Sequence, residues 1–201
     1  MDMERSGCVY IANNFVADDY WRLDLTKNDA NTWCQAVDIF RDRIWGRYID
    51  QVKILNRDPF KNGFASVAIC CLLIDSMYQF EHGTMGHRYN RVKYKETLRK
   101  HMGDVFDSDE KAERFYCDIR CGILHAAETQ NGSQLTVGKS YVIKLSNSGE
   151  QISVDVVNLA TRLEEYINDY CLRLYQNDRP TRRNFKKKMN YLCGRPNFMD
   201  V

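Results

Sequence analysis

Within Phe115-Tyr-Cys-Asp-Ile-Arg-Cys-Gly-Ile-Leu-His-Ala-Ala-Glu-Thr129, Arg120 and His125 are separated by four residues. An arginine is a permanent cation whose fork of donors matches phosphate oxygens. A histidine gains and loses a proton near neutral pH. Together they form a minimal kit for breaking an RNA phosphodiester without a metal. The imidazole takes the 2′-hydroxyl proton or protonates the leaving oxygen, and the guanidinium stabilises charge building on the phosphorus oxygens. Read without context, the same spacing describes a surface arginine and a histidine finishing a helix, where positive charge is favourable. Five residues advance an ideal α-helix by about 140°, so the two side chains should not share a face. Arginine's length, fraying beyond Gly122, or a second copy across a two-fold axis would close the gap. The symmetric dimer is the most economical of these, because it gathers two pairs in one cleft and supplies separate acid and base groups.

Other groups could support the pair. Asp75 and Gln79 end a strongly apolar stretch, and an acid there can orient Arg120 or His125; the same residue can equally cap a neighbouring element or face water. Glu128 follows the histidine closely and can reach an arginine or finish a solvated helix end. Cys121, directly after the arginine, donates only weakly.

This stretch resembles the HEPN superfamily, small all-α domains marked by an arginine, a few residues, then a histidine near the end of a late helix. Arg120-Cys-Gly-Ile-Leu-His125 carries the resemblance, with Phe115 and Tyr116 before it and Glu128-Thr129 after it. The order of elements is also similar, over roughly residues 32–176. The resemblance implies a metal-independent endoribonuclease, or a non-catalytic RNA- or nucleotide-binding relative, built as a homodimer with the motif cleft at its interface. It implies toxin–antitoxin or other prokaryotic defence settings, with an antitoxin or defence-system partner; a structural subunit of such a complex is a third reading. Arg120 and His125 would be the catalytic pair, with Cys121, Glu128 and Asp75 supporting, and no cofactor or metal. Cys121 stands where the family often has Asn, Asp or His. Ala127 stands where some members carry a tyrosine that is nucleotidylated.

The elements that must position these groups follow from periodicity. Asn31 or Thr32 is expected to cap a helix. Its apolar residues recur at Trp33, Val37, Phe40, Ile44, Tyr48, Val52 and Leu55, and Arg57-Asp58-Pro59 ends it. Phe64 to Ile74 is apolar all round except Ser66, as in a helix touched on several sides. A loop, Glu81 to Tyr89, leads to a basic helical segment with Arg88, Arg91, Lys93, Lys95, Arg99 and Lys100. Ser108 or Asp109 can cap the motif helix, whose core stripe reads Phe115, Ile119, Ile123 and Ala126. Alternation at Tyr141, Ile143, Leu145, Ile152 and Val154 around Asn147-Ser148-Gly149 predicts a β-hairpin. Leu159, Leu163, Ile167, Tyr170 and Leu174 restore helical spacing. The expected fold is all-α: a single domain over 1–201, a four- to five-helix up-down bundle at 32–176, a hairpin insertion at 140–155 and a basic tail at 177–201.

Composition bounds the rest. The chain has 201 residues, 44% hydrophobic and 28% charged, with only 3 prolines, which excludes wholesale disorder. A chain of this size buries roughly 70% of its unfolded surface and needs no staples. The net charge of +2 makes any nucleic-acid surface a local patch. The tail from Arg179 to Arg195 is such a patch, free of acids. There Arg182, Arg183, Lys186, Lys187 and Lys188 are candidate RNA contacts, interleaved with Phe185, Tyr191 and Phe198; the aromatics could equally dock the tail on the bundle. His82, His87 and His101 are expected at the surface. The 8 cysteines include no C-x-x-C pair, so reduced thiols in a cytoplasmic protein are expected rather than a zinc site. No run of 18 apolar residues and no secretory signal is present, so no membrane span is expected. No phosphate loop of the G-x-x-x-x-G-K-[ST] kind occurs.

Overall fold

The computed structural model describes residues 9–84 and 91–194. The protein is mostly helical with one small three-stranded sheet. Helix α1 is Ala17–Trp21. Helix α2, Ala30–Ile44, passes through a π-helical turn, Trp45–Ile49, into α3, Asp50–Leu55. The cap of α2 is Asp29, whose carboxylate accepts from Thr32 N at 2.7 Å. The expected caps, Asn31 and Thr32, lie inside the helix. Aspartate serves better because it stands before the turn whose N–H groups lack partners.

Helix α4, Pro59–His82, starts on the proline expected to follow a break. Proline suits a helix start because the first N–H groups have no intrahelical acceptor. The helix is longer than the apolar run suggested, and it is not enclosed on all sides: Phe60, Phe64 and Leu72 are exposed at 84%, 41% and 49%. By length and hydropathy α4 reaches the range of a membrane span, unlike the expectation from the sequence. Of that window, 56% is buried inside the structure, as in a core helix.

Then come α5 (Arg91–His101), α6 (Asp109–Arg114), a π-helical stretch (Phe115–Cys121) and α7 (Gly122–Ala126). Ser108 caps α6, its hydroxyl accepting from Lys111 N. The expected hairpin is present as β2 (Ile143–Leu145) against β3 (Ile152–Asp155), antiparallel, with Ile143 opposite Val154. A further strand, β1 (Gln134–Thr136), pairs parallel to β3, giving the order β1-β3-β2. Asp155 closes β3 and caps α8 (Val156–Tyr175) by accepting from Asn158 N at 3.0 Å. The expected basic tail is instead α9, Arg179–Leu192, with Asp178 as its cap.

The chain divides into two compact units, whose boundaries fall within α3, α4 and α8. One comprises Met1–Asp50, Gln79–Gly86 and Asp169–Val201. Its core is an aromatic cluster: Phe40 lies 4.9 Å from Phe80, 5.5 Å from Tyr170 and 5.9 Å from Phe185, ring centre to ring centre. Phe80 and Phe185 meet Phe40 edge-to-face, and such pairs add about 0.5–1.5 kcal/mol each beyond the area they bury. Phe185 is therefore core, not a stacking surface for bases.

The other unit comprises Gln51–Tyr78 and His87–Asn168. Val67, Cys70, Cys71, Leu73 and Ile74 of α4 are buried in it, as are Phe106, Phe115, Ile119 and Ile123. Ala126, expected in the same stripe, is exposed. Part of the basic segment is paired with acids: Arg91 with Glu113, and Lys95 lies 2.7 Å from Asp109 and 3.0 Å from Glu113, while Lys93 and Lys100 are exposed. His101 stacks on Tyr166, 5.1 Å between ring centres. His82 is exposed. His87, Arg88 and Phe198 lie outside the described residues.

Candidate active site

Arg120 sits in the last turn of the π-helical stretch, and His125 lies one turn on, in α7. In a π-helix the hydrogen bonds run i→i+5, so the turn is wider than in an α-helix. That stretch ends at Cys121, however, and Gly122 to His125 follow α geometry, so it is the reach of the long arginine side chain that spans the angle to His125. The structure brings the pair together within one chain: Arg120 Nη1 is 3.3 Å from His125 Nε2. A guanidinium only donates, so a hydrogen bond across this contact has Nε2 as its acceptor. The separation expected from regular α geometry does not occur.

Asp75 completes the arrangement from α4. Arg120 Nη2 donates to Asp75 Oδ2 at 2.8 Å, and the two side chains are only 14% and 15% exposed. Screening is reduced in such a setting, so this ion pair holds the guanidinium plane more firmly than a surface pair would. Nη1 also lies 3.7 Å from Cys121 Sγ, a weak acceptor. The Arg120 Cζ stands 5.6 Å from the centre of the Tyr116 ring, within reach of its negative face. Burial raises the Tyr116 hydroxyl above its ordinary value, with the Cys121 sulfur adding to the effect and Arg120 opposing it. Burial likewise pushes the Cys71 thiol well up. His125, by contrast, is exposed. The cation is thus fixed from below while the imidazole meets solvent.

A return loop fixes the end of α7. Ala127 adopts a left-handed φ of 55° and its N–H caps the helix. Glu128 N then donates to Gly122 O, and Gln130 N to Asp118 O at 3.0 Å. Gly122 is required here, because a Cβ on it would stand 2.4 Å from the Glu128 carbonyl oxygen. Glu128 is exposed, and its carboxylate accepts from Thr129 N.

Sequence reasoning missed Asp118. It is fully buried and accepts from Asn131 Nδ2 at 2.7 Å and Ser133 Oγ at 2.9 Å. Ser133 Oγ in turn accepts from Ile152 N at 3.0 Å. The motif stretch, its return loop and β3 are therefore joined by one hydrogen-bonded chain. The signal was an aspartate set between the core residues Phe115 and Ile119, where burial demands partners.

The five candidate RNA contacts of α9 divide. Arg182 and Lys188 are buried, 6% and 5% exposed, and their polar groups turn inward. Arg182 donates to Leu174 O, Asn177 Oδ1 and Asn28 Oδ1, and Lys188 to Gln79 Oε1. Burial lowers the Lys188 ammonium below its ordinary value, and the Arg43 charge adds to this. These two are structural cations. Arg183 and Lys187 are exposed, and Lys186 is half-buried. Gln79 serves Lys188 and has no part in the motif site as described. Among the described residues, no cluster of three or more His, Cys, Asp or Glu side chains is arranged to hold a metal ion. No family model matches this chain, and neither a curated protein nor a solved structure does.

Proposed function

We propose that this chain is a HEPN-type endoribonuclease that cleaves RNA without a metal, through Arg120 and His125, on a helical bundle that pairs with a second copy. The observation that carries the reading is the Arg120–His125 contact at 3.3 Å, with Asp75 holding the opposite side of the guanidinium. An RNA phosphate entering the site draws Nη1 onto a phosphorus oxygen and releases the Nε2 lone pair. His125 then takes the proton of the 2′-hydroxyl, and O2′ attacks phosphorus as the bond to O5′ breaks. Arg120 stabilises the charge on the non-bridging oxygens. A second imidazole, from the other copy, protonates O5′. The products are a 2′,3′-cyclic phosphate and a 5′-hydroxyl.

The face of α4 that leads to Asp75 supports pairing. Phe60, Phe64 and Leu72 form an exposed apolar stripe, of the kind that copies bury against each other. The same reading makes the chain a cytoplasmic protein of a toxin–antitoxin or defence system, with an antitoxin or another component as partner.

A second reading, a module that binds RNA or a nucleotide without turnover, is favoured by one observation. Cys121, the near neighbour of Arg120 Nη1, offers only a weak polar group where catalysis would use a stronger one. His125→Ala separates the two. The first reading expects cleavage of a labelled RNA to fall by about 10²–10⁴-fold with melting temperature and oligomeric state unchanged. Cleavage that survives at the wild-type rate removes the catalytic proposal, and tight RNA binding without products selects the module.

A further inference from the structure

A basic cleft of about 240 Å³ lies in the unit that contains α9, apart from the residues of the motif. Its lining includes Lys27, Arg179, Arg182, Arg183 and Lys186, and no carboxylate. The floor is rigid. Arg182 lies 4.1 Å over the Trp33 ring, and its donors are held by Asn28, Asn177 and the carbonyls of Leu174 and Tyr175. Asn177 holds this geometry with a φ of 62°. Around that floor the remaining cations are less committed. Arg179 and Arg183 are exposed and make no ion pair or hydrogen bond among the described residues. Lys186 Nζ reaches only the Leu25 carbonyl, at 3.4 Å. Lys27 shares the exposed Asp24 at 3.1 Å.

The end of α9 does not account for this concentration of charge. Asp178 already satisfies the N–H of Thr181, and Pro180 has none to offer. Crowding like charges around a concave surface costs free energy unless an anion completes it. Two guanidinium forks and two ammonium groups around one cleft match the tetrahedral oxygens and double charge of a phosphoryl group. The volume is below that of pockets that enclose a whole drug-sized ligand, which suits a phosphate head with the rest of the molecule outside.

We infer that the cleft between Lys27, Arg179, Arg183 and Lys186 is a phosphoryl-binding site, taking a phosphate carried on a nucleic-acid strand or on a small phosphate compound. The inference does not rest on the ribonuclease reading. It is tested on the full chain by calorimetric titration with pyrophosphate, alongside a single-stranded DNA with a 5′-phosphate or a 5′-hydroxyl. DNA lacks the 2′-hydroxyl that the proposed cleavage consumes, so the result is independent of any nuclease activity.

Pyrophosphate should bind the wild-type chain, and Arg183→Glu should weaken it about tenfold, the worth of one charge-assisted hydrogen bond. Lys187→Glu makes the same charge change on an exposed residue outside the cleft, and should leave binding within about twofold. DNA that binds only with its 5′-phosphate, and is displaced by pyrophosphate, identifies a strand-borne phosphate. Pyrophosphate binding without DNA binding identifies a small compound. No binding to the wild-type chain, or equal losses in Arg183→Glu and Lys187→Glu, overturns the inference.

Discussion

Arg120 and Arg182 are both largely withdrawn from water, and both lie against an aromatic ring. Their partners differ. Arg182 donates to backbone carbonyls and asparagine amides, neutral groups that never change protonation state. Arg120 donates to a carboxylate and faces an imidazole, both titratable, and the imidazole is exposed. A buried arginine among fixed dipoles holds a chain together. One set between a carboxylate and an imidazole has partners whose charge can change. Burial alone does not separate the two arginines; the chemistry of their partners does.

The sharpest way to break this contrast is the same substitution at both sites. Arg120→Lys cannot bridge Asp75 and His125 as a planar fork does. RNA cleavage should fall about 10²-fold while the melting temperature moves little. Arg182→Lys should do the reverse, costing about 2–3 kcal/mol in denaturant unfolding with unchanged cleavage per folded molecule. A large stability loss at Arg120, or a specific activity loss at Arg182, would erase the distinction. Gly122→Ala tests the support of the motif. The added methyl meets the Glu128 carbonyl, so a loss of about 1–3 kcal/mol, with faster amide exchange in the return loop, is expected. The smallest effect is a gain. Ala127→Gly relieves a left-handed residue and should stabilise the chain by up to about 1 kcal/mol, read as a higher melting temperature.

The sequence made some of this legible. Alternation at Ile143, Leu145, Ile152 and Val154 identified β2 and β3. Strand β1 escaped because Gln134–Thr136 is too short to show a period and pairs with a distant partner. Seven cations between Arg179 and Arg195 obscured a helix. Asp178, Pro180, Phe185 and Met189 were a start signal and an apolar stripe at helical spacing. At α5 the sequence showed the cations but not their partners: Lys95 meets Asp109 and Glu113 of α6. Arg120, His125 and Asp75 were named from residue type and position. Their convergence within one chain was only one of several ways to close the gap, because a regular helix sets the two Cα–Cβ directions about 140° apart and periodicity does not show which way an arginine side chain will reach.

Ser133 is fastened twice, giving its hydroxyl proton to Asp118 and receiving one from Ile152. A single small side chain thereby couples a strand to the segment that carries the exposed imidazole. Loosening the loop beyond α7 at Ser133 would also remove the acceptor of the Ile152 N–H at the start of β3. The segment that carries Arg120 is thus tied to the sheet through one serine hydroxyl that touches neither Arg120 nor His125.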